Sequence, residues 1–107
     1  MRFILHLASR LAITLASCSS LATGILIIAP HPDDDVLIAA GVALRARTSG
    51  EHVTVAFMAN GDKNGISTGN LRQSEAVNAQ VGFLGAAEGE LIFLGYPDGY
   101  LADIYKS

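Results

Sequence analysis

Four of the five residues in His31-Pro32-Asp33-Asp34-Asp35 carry groups that bind metals or move protons. Three adjacent carboxylates repel one another, so holding them together is costly unless a cation or the positive end of a helix compensates. The imidazole beside them completes a donor set suited to zinc, for which His nitrogen and carboxylate oxygen are ordinary ligands at ~2.0–2.2 Å. His31 and Asp34 are three apart across a turn that Pro32 restricts, so both can point at one ion. Asp33, between them, would then point toward the water that such an ion activates, where a general base belongs. The same residues also admit a plainer reading: an Asp-rich helix N-cap after a proline turn, with His31 a surface loop residue.

The surrounding sequence says what positions this turn. Ile25-Leu26-Ile27-Ile28-Ala29 is a short, wholly apolar, β-branched run between Gly24 and Pro30. It reads as a buried strand from the middle of a parallel sheet. Pro30 to Asp35 is then a loop leaving its carboxyl end. Val36 to about Thr48 reads as a helix with Asp34 or Asp35 as N-cap, buried first turns, Arg45 and Arg47 near its end and Gly50 as its stop. Val53–Met58 is a second strand, followed by the polar, glycine-bearing loop Asn60–Gly69. A second helix begins at Asn70, with Gln73 completing a capping-box-like pair. Its apolar face comprises Ala76, Val77, Val81 and Leu84, and Gly85 ends it. Leu91–Leu94 is a third strand and Gly95–Gly99 a turn.

The order βαβαβ predicts an α/β, Rossmann-like three-layer fold with a mainly parallel sheet and right-handed crossovers. Ligands on such sheets bind beyond the carboxyl ends of the strands. The loops after Ala29, Ala59 and Leu94 should therefore share one edge.

Composition excludes several alternatives. The chain has 107 residues, half of them hydrophobic, which fits one small domain or a piece of a larger one and excludes disorder. Net charge is −3 and no basic run occurs, so no nucleic-acid surface is expected. The single cysteine, Cys18, forms no intrachain disulfide and no cysteine zinc site. No phosphate-cradling glycine motif appears.

Residues 1–23 read as a leader and 24–107 as the amino-terminal part of a single domain. Met1-Arg2 and the apolar stretches after it resemble a signal peptide. Leu15-Ala16-Ser17-Cys18 resembles a lipoprotein cleavage box, which would make Cys18 a lipid anchor. Against this, His6 and Arg10 interrupt the apolar run, and Leu11–Ala16 is shorter than the ~7–15 residues of a signal's apolar region. Export, with membrane contact through the leader, and a cytoplasmic location both stand open.

Further along the chain, Asn60-Gly61-Asp62 follows the second strand. Arg72-Gln73-Ser74-Glu75-Ala76 precedes Leu84-Gly85, and Leu94-Gly95-Tyr96-Pro97-Asp98-Gly99 follows the third strand. Together with Ala29–Asp35, these segments resemble, in order and spacing, the motifs of the PIG-L/LmbE-like deacetylases, relatives of N-acetylglucosaminylphosphatidylinositol deacetylase. The likeness runs from about Ile25 to Leu101.

That resemblance implies zinc, or another divalent metal, held by His31 and Asp34, with Asp33 as the base. It implies that Arg72 and Asp98 hold sugar or phosphate oxygens, and that Asp35, Asn60, Asp62 and Glu75 support the site. The substrate would be an N-acetylglucosamine-type sugar or conjugate that loses its acetyl group. Asp35 departs from the family's usual Glu. The family's further metal histidine lies in a downstream H-x-x-H-like segment, and this sequence ends at Ser107. His6 and His52 do not replace it, so the expectation is a chain lacking the third ligand, with weak metal binding and little activity alone. Two other functions remain: an inactive sugar-binding remnant, and a haloacid-dehalogenase-type phosphatase using Asp33 as nucleophile.

Overall fold

The computed structural model describes residues 23–107, so the leader and Cys18 lie outside the described residues. The elements are β1 (Gly24–Ala29), α1 (Asp34–Thr48), β2 (His52–Ala59), α2 (Ile66–Val77), a π-helical turn (Asn78–Phe83), a 3-10 turn (Glu88–Glu90), β3 (Leu91–Tyr96) and α3 (Leu101–Lys106). The strands form one sheet in the order β1-β2-β3, parallel throughout. The α/β architecture read from the alternating pattern is therefore present.

The core lies on one face of this sheet. Ile25, Ile27 and Ala29 pair with Val53, Val55 and Phe57, and Val55 and Phe57 pair with Leu91 and Phe93. Period-2 alternation puts all of these side chains on the same face. Ala43 and Ala46 of α1 and Ala76 of α2 cover them. Both crossovers thus lie on one side, as right-handed connections in a consecutive strand order require. The small alanines let the helices approach closely. Phe57 is fully buried and stacks on Phe93 with ring centroids 4.7 Å apart. The opposite face carries Leu26, Ile28, Ile92 and Leu94, all exposed, and no described helix forms a third layer on it.

Several local expectations change. Among the described residues β1 is an edge strand, not a central one. β2 holds the centre because it pairs on both sides, and Leu26 and Ile28 stay 60% and 62% exposed. The helix α1 starts at Asp34 with Asp33 as N-cap, one residue before the expected cap. Its first turns are not buried all round: Leu37 and Ile38 are 76% and 81% exposed, and Asp35 faces inward instead. The helix α2 begins a full turn early, at Ile66 after Gly65, so Asn70 is a mid-helix residue and caps nothing. Gln73 donates to Asn60, not to a helix terminus. β3 runs on to Tyr96, because the register slips between Phe57 and Ala59 and Ala59 pairs with Tyr96. That irregularity redirects the chain just before Asp98.

No helix among the described residues is long and apolar enough to cross a membrane.

Candidate active site

The three strand ends are tied to one another by backbone bonds. Ala59 N–H donates to Pro30 O at 3.0 Å, and Asn60 N–H donates to Tyr96 O at 2.9 Å. Asp98 N–H donates to the Asp62 carboxylate at 2.9 Å. The loops after β1, β2 and β3 thus form one connected surface at the carboxyl edge of the sheet, as the topology predicts.

His31 sits at its centre. The turn is closed by Asp33 N–H donating to His31 O at 2.9 Å, and the His31 backbone N–H donates to Asp34 Oδ2 at 2.9 Å. The imidazole lies between two carboxylates, with Nδ1 3.3 Å from Asp34 Oδ2 and Nε2 3.0 Å from Asp98 Oδ1. A neutral ring has one N–H, so it donates to one of these oxygens and presents a lone pair to the other.

Asp33 caps α1 through its backbone, Val36 N–H and Leu37 N–H both donating to its carbonyl at 3.1 Å. Its side chain makes no capping bond. The carboxylate is half exposed and pairs with Arg72 Nη2 at 3.1 Å. Arg72 also approaches Asp98 Oδ2 at 3.8 Å and donates to Gly61 O at 3.4 Å. A Cβ at Gly61 would come within 3.0 Å of Arg72 Nη1, so a side chain there would displace the guanidinium. The family-like positions Asp33, Arg72 and Asp98 are therefore one cluster of alternating charge.

Asn60 and Asp62 brace the rim. Asn60 Nδ2 donates to Gly95 O at 3.2 Å, and Gln73 Nε2 donates to Asn60 O at 3.3 Å. Asp35 points away from the site into the core, where Gln80 Nε2 donates to its carboxylate. Glu75 is exposed on α2, and no hydrogen bond or ion pair among the described residues reaches its carboxylate. Sequence reasoning missed two contributors, the bracing role of Gln73 and the buried amide of Gln80. Gln80 follows the buried Ala76 by four residues, a spacing that places it on the same helical face.

The donor chemistry fits two metal ligands. Two ligands ~2.0–2.1 Å from one tetrahedral ion lie ~3.3–3.4 Å apart, close to the 3.3 Å between His31 Nδ1 and Asp34 Oδ2. Among the described residues, no three His, Cys, Asp or Glu side chains come together as a metal-holding group.

Residues 26–107 match the family model described as PIG-L: GlcNAc-PI de-N-acetylase. The chain belongs to the PIG-L family. Membership takes precedence over the phosphatase reading of Asp33. The solved structure of N,N'-diacetylchitobiose deacetylase from Pyrococcus horikoshii, complexed with its inhibitor MPG, is similar at a TM-score of 0.61 and 25% identity. The likeness covers 80% of this chain and 35% of that one, so the chain spans about a third of that protein's length. A search of the curated proteins found no match. As a PIG-L member, this chain has its HPDD-type turn, its Arg72 helix and its Asp98 turn assembled on one sheet edge.

Proposed function

We propose that this site serves metal-dependent hydrolysis of an acetamide, removing the acetyl group from an N-acetylglucosamine-type sugar or sugar conjugate. The observation that carries the reading is the cluster itself. His31, Asp33 and Asp34 at the turn into α1, Arg72 on α2 and Asp98 in the turn after β3 come from separate parts of the chain, yet they connect through contacts of 3.0 to 3.8 Å. Membership of the PIG-L family and likeness to a diacetylchitobiose deacetylase support the same chemistry.

In this reading His31 and Asp34 hold zinc, or another divalent ion. When bound, the ion supplies Lewis acidity to the amide carbonyl and its attacking water. The residues do the rest. Asp33 accepts the water's proton at a carboxylate oxygen and returns it to the departing amine nitrogen, so that acetate and a free amine result. Arg72 holds Asp33 in place and offers its remaining N–H groups to sugar or phosphate oxygens, a task its rigid fork suits. Asp98 accepts from sugar hydroxyls while fixing the orientation of His31. Asn60 and Asp62 keep the loops together.

The test is zinc binding by calorimetry, paired with acetate release from N-acetylglucosamine conjugates. Wild type should bind zinc in a way that His31→Ala removes. Binding that is indifferent to His31 would sink the assignment. A second reading, sugar binding without turnover, is favoured by the two-ligand donor set among the described residues. It predicts that sugar binding survives His31→Ala while no acetate appears.

A further inference from the structure

Gln80 is fully buried, and so is Asp35, which it contacts from 45 residues away in sequence. Buried polar side chains persist when they are paired. Here the pairing has a direction. Gln80 Nε2 donates to Asp35 Oδ2, while Gln80 Oε1 accepts from Arg47 Nη1 at 3.0 Å. One amide thus sits between an acid and a base, its NH2 toward the carboxylate and its oxygen toward the guanidinium. The reversed amide would place donor against donor and acceptor against acceptor.

Asp35, Ala39, Ala43 and Arg47 are spaced by four, so they share one face of α1. Between Asp35 and Arg47 on that face stand two small residues, and the Arg47 guanidinium reaches Gln80 Oε1. Arg47 Nη1 also donates to Leu84 O at 3.0 Å, and its Nε lies 3.6 Å from Glu90 Oε2. Asp35 stands in the first turn of α1 and Arg47 in the last. Both ends of the helix are therefore fastened to the π-helical turn through a single side chain. Such turns within helices frequently mark functional sites.

We propose that Gln80 is a positioning residue, whose amide bridge to Asp35 and Arg47 fixes the first turn of α1 and with it the orientation of Asp33 and Asp34. The consequence for metal binding rests on the function proposed above. Asp35 Oδ1 has no hydrogen-bond partner among the described residues, so Gln80 is the side chain that holds this carboxyl. Without it, a buried acid directly after Asp34 is left unpaired, and the turn shifts to rehydrate it. Outer partners of metal ligands act in this way, orienting groups that they do not themselves ligate.

The test uses Gln80→Met, which keeps the volume and removes the amide, in the full chain. Amide hydrogen exchange at Val36–Ala39 is compared with that at Val53–Phe57 in β2. Exchange in the α1 turn should rise by about tenfold, as for loss of a local hydrogen bond, with β2 unchanged. Zinc affinity, measured where circular dichroism shows the chain folded, should fall by roughly tenfold. A rise shared equally by β2, or no rise, overturns the proposal. If the Met variant does not fold, Gln80→Glu preserves size and the Arg47 bond, and its local exchange is judged by the same criterion. Wild type that binds no zinc through His31 refutes the proposed function, while exchange alone still decides the role of Gln80.

Discussion

His31 Nε2 lies 3.0 Å from Asp98 Oδ1, although 67 residues separate the two in the chain. This contact spans β2 and joins the carboxyl ends of the two outer strands. Asp98 is the more buried partner, its side chain 12% exposed against 40% for His31. Its backbone is also pinned by Asp62 at 2.9 Å. The imidazole is therefore oriented from the far side of the sheet by a loop that is itself held.

Asp98→Ala should accordingly loosen the site more than it unfolds the protein. A partly exposed pair of this kind contributes about 1 kcal/mol. Urea titration should show a correspondingly small loss with an unchanged slope. A loss several times larger would mean that Asp98 organises the loop in ways that these contacts do not contain.

The glycines at 41 and 69 provide an internal contrast. Both are inside helices, where Gly is less favourable than Ala by ~0.5–1 kcal/mol. A Cβ at Gly41 meets nothing within 4 Å, whereas one at Gly69 would lie 2.7 Å from Asp62 Cβ and 3.3 Å from Asn60 O. Gly41→Ala should raise stability by roughly that propensity difference. Gly69→Ala should lower it by about 1–3 kcal/mol, the cost of forcing atoms into a packed region. The displaced atoms belong to Asp62, so the Asp62–Asp98 bond should weaken as well. Thermal melts of the two variants moving in the same direction would contradict this reading.

What the sequence makes legible follows from how local each signal is. The turn His31–Asp35 and the strand before it are set by prolines and β-branched runs, both short-range effects. The meeting of the three loops follows from parallel topology alone. The edge position of β1 was not legible, because an apolar run of five looks the same at the edge and at the centre of a sheet. The inward turn of Asp35 depends on Gln80, a partner 45 residues away; helical spacing from Ala76 puts Gln80 on the inward face, but nothing local says that it meets Asp35. The early start of α2 was hidden by the glycine-bearing sequence of its first turns, which reads as loop until Gly69 is seen against Asp62.

Phe57 is the side chain on which the described core converges. It is fully buried in the central strand, beside Ala29, and stacks on Phe93 with an interplanar angle of 15°. Phe57→Ala should cost ~3–5 kcal/mol, a large share of the ~5–15 kcal/mol typical of a folded domain. Loss of the cooperative denaturant transition is expected, whereas Phe57→Leu should retain it at a lower midpoint. An alanine variant as stable as wild type would mean that the stability resides outside this cluster.

The proposed function separates two roles within the turn, a ligand at His31 and a base at Asp33. His31 faces Asp34 at a separation suited to two ligands of one ion, while the Asp33 carboxylate pairs with Arg72 at 3.1 Å. A ligand and a base should fail differently. His31→Ala removes a donor, so zinc affinity should drop by more than the ~10–100-fold that outer partners command. Asp33→Asn preserves shape and leaves both donors in place, so zinc should still bind, but the amide cannot accept a proton. Acetate release should then fall by about 10²–10⁴-fold, the usual contribution of a positioned base. The same substitution removes the charge facing Arg72, so phosphate-bearing substrates should bind at least as tightly as before while turning over more slowly. Retained turnover in Asp33→Asn would transfer the base to another group at this edge. Loss of zinc binding in that variant would instead make Asp33 a ligand and break the proposed division of labour.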